Sequence, residues 1–262
     1  MSSTTDRITA GRATPEPSRD APPKIRELLS STQGSAFSRY RRLTHPSGSL
    51  SRFWAFELAT MLLLPLPGGA GLMLRGRLLR RFFGGFGDDV IIGRNCVFRN
   101  PNGIFIGNGV VIDDNCVLDA RGAGEQGVRL ADGVLLSRGV QIRSKCGPIY
   151  VGKDVNIGDY TVIVSQSGVH IGDGAAIAGA CQIMGGAFAV SEFTKPAAER
   201  VSSSAGPIHI GAGAWLATAA LVLDGASVGE DTIVSAGSVV ASNVPARCVA
   251  QGNPARPVFR VR

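Results

Sequence analysis

Residues 210–240 read IGAGAWLATAALVLDGASVGEDTIVSAGSVV. An aliphatic side chain recurs at every sixth position, as Ile210, Leu216, Val222, Val228, Val234 and Val240, and four residues after each of the first five stands a small or branched one: Ala214, Ala220, Ala226, Thr232 and Ser238. Each hexapeptide therefore points two side chains inward, and the glycine or aspartate between them makes a corner. Three hexapeptides close one triangular coil, and coils stack by parallel strand pairing at about 4.8 Å.

The same period runs upstream from Ile92 through Ile106-Gly107, Ile112-Asp113, Leu136-Ser137, Val151-Gly152, Ile157-Gly158, Ile171-Gly172 and Ile177-Ala178. Val110, Val134, Val155, Thr161 and Ala175 fill the second inward position. Sorted into three columns, the aliphatics give an all-β solenoid of about seven triangular coils. Extra residues fall between Phe98 and Ile106, Leu118 and Leu130, Ile142 and Val151, Ile163 and Ile171, and Ile183 and Ile210, all at one corner. Insertions that share a corner mark a working face, and the largest, Gly186 to Pro207, has a length that means either function or disorder. Composition agrees: 35 glycines with only 6% aromatic residues suit a narrow core of small and aliphatic side chains. Cys96, Cys116, Cys146 and Cys181 stand four residues after Ile92, Ile112, Ile142 and Ile177, where they read as core filler. No cysteine pair has metal-ligand spacing, and Cys248 lies in the C-terminal tail with no evident partner.

Before the solenoid the chain changes character. Residues 1–35 are rich in Ser, Thr and Pro and read as a disordered tail without a secretory signal, so a reducing, cytoplasmic setting is expected. Residues 36–90 hold the most hydrophobic stretch, in which the apolar run Leu58 to Leu64 ends at Pro65, too short to span a bilayer. Leu72, Met73, Leu74, Leu78, Leu79, Phe82 and Phe83 interleave with Arg75, Arg77, Arg80 and Arg81. This segment is expected to cap the open end of the first coil, either alone or together with peripheral contact to anionic lipid at the inner membrane face. Residues 91–245 form the solenoid, with loop 186–207, and 246–262 a tail. The net charge of +7 resides in the N-terminal third and not on the repeats, which speaks against a nucleic-acid partner.

The run from Ile210 to Val258, with its IG-x-x-x-W, AGSVV and final GNPA (Gly252 to Ala255) in register, resembles the end of hexapeptide-repeat acyltransferases of the polysaccharide and sugar O-acetyltransferase type. The resemblance covers about residues 50–262. It implies a left-handed parallel β-helix, a homotrimer with sites between subunits, acetyl-CoA as cosubstrate, a saccharide acceptor and no metal. It also implies that Trp215, Ala217, Ala220, Ser235 and Gly237 lie along the pantetheine arm, with Arg247, Asn253, Pro254 and Arg256 near the nucleotide.

Such enzymes use a histidine to take the proton of the acceptor hydroxyl, placed soon after a glycine pair. Here Gly185-Gly186 is followed by Ala187-Phe188, so Phe188 stands in the histidine's place. Of the three histidines, His45 has no chemical neighbour in sequence. His170 and His209 each precede an aliphatic of one column, one coil apart, and are expected to point outward, stacked at the insertion corner. They are the candidate bases, with Glu192 and Glu199 of the long loop as substitutes. The same column holds Phe105, Arg129, Tyr150 and Ser227, so the pair also fits an ordinary exposed ladder, and two histidines give only weak support to a three-histidine metal site like that of the γ-class carbonic anhydrases. The expected function is acyl-CoA-dependent O-acyl transfer to a sugar or saccharide intermediate. The alternative is a catalytically inactive hexapeptide-repeat protein acting as a binding or scaffolding subunit. A sugar nucleotidyltransferase is disfavoured, since no Gly-rich nucleotide-binding domain precedes the repeats.

Overall fold

Three parallel sheets wrap one aliphatic column, each coil of the chain contributing one strand to each sheet. A computed structural model describes residues 35–45, 49–188 and 202–260. The first face runs from Gly85–Phe86 to Ser227–Val228 in seven strands, and the third from Val97–Arg99 to Val239–Val240 in seven. The second begins at Ile91–Ile92 and, after Ile233–Val234, gains Cys248–Gly252 and Ala255–Arg260. The result is a left-handed β-helix of about seven turns.

The hexapeptide period has a backbone cause. At most corners, three residues after the aliphatic, the chain turns through the left-handed region, at Asn95, Asn115, Asp154 and Asp231, at Gly109, Gly133, Gly174 and Gly213, and also at Tyr160, Ala180 and Ala219. Gly, Asn and Asp accept that conformation at least cost. The residue directly after the aliphatic must be small for a second reason: a Cβ on Gly211 would lie 2.5 Å from the Glu230 amide nitrogen of the next coil. Corner side chains then satisfy backbone groups one coil away, as when the Lys153 amide donates to Asp173 Oδ1 at 2.8 Å.

Both inward positions are buried along the whole column. Ile112, Leu136, Ile157, Ile183, Leu216, Val222 and Val234 are fully enclosed, as are Val134, Val155, Thr161, Ala214, Ala220 and Thr232. The two threonines satisfy their hydroxyls on carbonyls, Thr161 on Ala178 at 3.0 Å and Thr232 on Pro245 at 2.8 Å. Cys96, Cys116 and Cys181 are core filler, and burial pushes Cys96 up to about 12 and Cys116 up to about 11. Cys146 is not. An insertion begins right after Ile142, the strand continues to Ser144, and Ser144 turns inward to donate to Gly147 O at 2.8 Å while Cys146 is left half-buried. The expected C-terminal tail is instead a hairpin on the second face that buries Cys248 beside Thr232 and the Pro245 carbonyl.

Helices α1 (Ala36–Thr44), α2 (Leu50–Leu63) and α3 (Gly68–Leu79) precede the coils. α2 turns Phe56 and Leu63 into the core, and α3 adds Leu79, covering the first coil's open end. Arg75 fastens the join. Its buried guanidinium donates from Nε to Ile92 O at 2.7 Å and from one terminal nitrogen to Leu66 O at 2.7 Å and Leu63 O at 3.3 Å. The latter carbonyls lie at the negative end of α2, so the cation serves as a C-cap and ties the helical cap to the solenoid's first coil.

His45, after α1, is 3% exposed with neither ring nitrogen hydrogen-bonded. Its ring meets Phe53 and Phe56 edge-on, with centroids 5.3 and 4.8 Å away. Burial, and then the charges of Arg52 and Arg99, lower its pKa from 6.5 to about 4. The unfolded chain thus takes the proton first: stability is full above pH 6.5 and is lost as pH falls from 6.5 to about 4, by at most about 3 kcal/mol. His45→Phe is expected to flatten the urea midpoint over that window, and a variant with an unchanged acid limb would assign the loss to other groups.

Candidate functional site

On the first face the outward residues stack into one ladder. Phe105, Arg129, Tyr150, His170, His209 and Ser227 occupy consecutive strands in direct register. Arg129 lies over the Phe105 ring at 3.9 Å, Tyr150 stacks on His170 at 4.9 Å, and His170 stacks on His209 at 4.9 Å with planes 8° apart. The structure therefore brings the two candidate bases together. His170 is half-buried between two rings, and burial followed by repulsion from His209 lowers its pKa below 6.5. His209 is exposed at the open end of the stack. The lowered pKa of His170 favours its neutral ring, the form able to accept a proton.

The insertion corner lies where the third face passes to the first, just before the ladder. The long loop leaves it at Gly185-Gly186, and its ends pair as Ala187–Phe188 against Ser202–Ser203, antiparallel. Phe188 thus lies in a two-stranded antiparallel pair separate from the three solenoid sheets. Glu192 and Glu199 lie outside the described residues. Asp224 clamps both ends of the loop: Oδ1 accepts from the Gly186 amide at 2.7 Å and the Ser204 hydroxyl at 2.9 Å, and Oδ2 accepts from the Ala205 amide. Ser204 Oγ also meets Ser167 Oγ of the preceding coil. On the other side Pro207 and His170 Nε2 crowd Gly168, so the loop's return sits beside the histidine stack.

The residues expected along a cofactor occupy a different part of the prism. Trp215 is exposed at the start of a second-face strand, and Ala217 and Ser235, one coil apart, follow at the next corner with Gly237. Ala220 does not belong with them. Its side chain is fully buried, its amide is bonded to Ala217 O and its carbonyl accepts from Gln182, because it fills the second inward position of its hexapeptide. Arg247, Asn253, Pro254 and Arg256 are all exposed near the C-terminal hairpin, with Arg247 Nε 3.7 Å from Asp231. Within one chain these groups and the histidines face different directions.

A family model, the hexapeptide repeat of succinyl-transferase, matches residues 86–120 and 148–180. The chain is a hexapeptide-repeat protein. No curated protein sequence matches it. Among solved structures it is similar to a single-substitution variant of AntD, an N-acyltransferase from Bacillus cereus in complex with dTDP and coenzyme A, with TM-score 0.51, 18% identity, and coverage of 76% of this chain and 92% of that one. It is also similar to a maltose O-acetyltransferase from Clostridium difficile 630, with TM-score 0.46, 17% identity, and coverage of 93% and 100%. At such identities the likeness is one of fold.

In this hexapeptide-repeat protein the exposed Trp215 ring and the Arg247 and Arg256 guanidinium groups fit the needs of a nucleotide-bearing thioester, an aromatic platform and cations for phosphate. Among the described residues no group of three or more His, Cys, Asp or Glu is placed to hold a metal ion. Asp224 is marked by strand register and not by the sequence period. Met184 pairs with Leu223, so the residues that follow, Gly185 and Asp224, fall at one corner, and a carboxylate stacked on a glycine pair where a loop departs identifies a loop anchor.

Proposed function

We propose that this protein is an acyl-CoA-dependent O-acyltransferase that passes an acetyl group to a sugar or saccharide intermediate, assembled as a homotrimer on the cytoplasmic side. The observation that carries this reading is the division of parts over the prism. The imidazole pair lies on the first face beside the long loop's return, and the exposed Trp215 and Arg247 with the half-buried Ser235 lie on the second face and beyond. Parts so divided meet when the first face of one copy is set against the second-face side of the next, which cyclic assembly provides.

In the reaction the acceptor hydroxyl oxygen attacks the thioester carbonyl. His209 Nε2 or Nδ1 takes the hydroxyl proton, the carbon–sulfur bond breaks, and the proton returns to the sulfur as free CoA thiol leaves. His170 holds the His209 ring flat by stacking on it. AntD, of the same fold, is described with coenzyme A bound, in keeping with a thioester donor here.

Calorimetric titration with CoA tests the donor half. Saturable binding is expected, weakened about tenfold in Trp215→Ala by loss of the aromatic platform, and the absence of binding at millimolar CoA would end the proposal. Phe188, in the place of the family's histidine, favours a second reading, a silent scaffold. CoA binding with no transfer to any acceptor would be its signature.

A further inference from the structure

We propose that the α2–α3 hairpin is a lipid-docking wedge that seats the protein on an anionic membrane surface, independently of acyl transfer. α2 is apolar on both sides. Phe53, Phe56 and Leu63 face the protein, while Trp54, Leu58, Met61 and Leu62, at helical spacings of four, three and one, face outward and are exposed. A helix of this kind needs a second apolar surface. The exposure continues through Leu66 in the turn to Met73 in α3, and Met61 is 65% and Met73 78% exposed. Between Glu57 and Arg75 no residue carries a charge. The tip of the hairpin is therefore a protruding, uncharged apolar surface, larger than the scattered exposure normal for a monomer.

Charge selects the occupant. Residues 35–84 contain eight arginines and one acidic residue, Glu57, which accepts from the Tyr40 hydroxyl at 3.2 Å. Arg77, Arg80 and Arg81 are exposed at the base of the wedge, and Arg80 approaches an acid only at 3.9 Å, the largely exposed Asp88. A second copy of the hairpin would bring arginine against arginine, and a neutral apolar partner would leave these cations without counter-charge. An apolar tip followed by a collar of arginines matches the acyl-to-headgroup boundary of an anionic leaflet, with side chains that reach outward to phosphate. Among the described residues no helix is long and apolar enough to cross a membrane, so the hairpin lies in the interface. Arg75 bonds both to the hairpin and to the first coil, so docking fixes the orientation of the solenoid.

The test is flotation of the full chain with vesicles of phosphatidylcholine plus phosphatidylglycerol, against phosphatidylcholine alone. The protein is expected to float with the anionic vesicles, and added salt and Arg77→Gln with Arg80→Gln are each expected to weaken it about tenfold. Met61→Ser with Met73→Ser, at two largely exposed positions, is expected to weaken flotation at least about tenfold with a nearly unchanged thermal midpoint. Failure of the natural chain to float, or flotation of the methionine variant like the natural chain, would overturn the proposal. So would a methionine variant with reduced mass by light scattering and undiminished lipid binding, since the wedge would then be a contact between copies.

Discussion

Ile157→Asp is expected to abolish folding. Ile157 is fully buried on the second face of a middle coil, between Leu136 and Ile177 in the neighbouring coils. The column around it is aliphatic, with no basic group inside, so an aspartate there would be either an unpaired charge or a neutral acid without hydrogen-bond partners, at a cost of several kcal/mol. Domains hold only about 5–15 kcal/mol in total. A solenoid is more exposed to this than a globule, since each coil rests only on its neighbours and a failed middle coil separates two halves. Soluble protein with a native far-ultraviolet spectrum would contradict the register. The control is Asn156→Asp, one residue earlier and outward, which should change stability by no more than about 0.5 kcal/mol.

His209→Ala is expected to lower acyl turnover by about 100- to 10,000-fold, the usual value of a general base, with CoA affinity nearly unchanged. The argument rests on position: His209 is the exposed ring of the stack and lies nearest in sequence to the loop's return. His170, sandwiched between Tyr150 and His209, acts by holding its neighbour, so His170→Phe, which keeps a flat ring in the stack, should retain much of the activity. Intact turnover in His209→Ala would exclude it as the base. Phe188→His supplies the converse arm, since a site that lacks only the family's base should gain activity when that residue is restored.

Much of this molecule is legible from its sequence because one backbone event, a left-handed turn three residues after the aliphatic, repeats at most corners and favours few residue types. Seven coils, their register and the outward stacking of His170 on His209 all follow from that period. It stops informing wherever an insertion breaks the count. Cys146 obeys the fourth-position rule on paper, but an insertion begins after Ile142 and Ser144 takes the inward place. Cys248 lies past the last regular coil, where pairing of Cys248–Gly252 to the second face, a long-range event, decides its burial. Ala220 is buried by its hexapeptide position, as the period requires, and so stands apart from the more exposed Trp215, Ala217, Ser235 and Gly237. Asp224 needs three-dimensional register to be seen as the loop's clamp.

The central claim is transfer from a CoA thioester to a saccharide hydroxyl, and the most direct measurement is free thiol release from acetyl-CoA with a panel of saccharides, paired with mass spectrometry of the acceptor. The account predicts acceptor-dependent thiol release in equal amount to an O-acetylated saccharide, sensitive to His209→Ala. CoA binding without thiol release above the acceptor-free rate, across the panel and in Phe188→His as well, would contradict it and leave the fold as a scaffold.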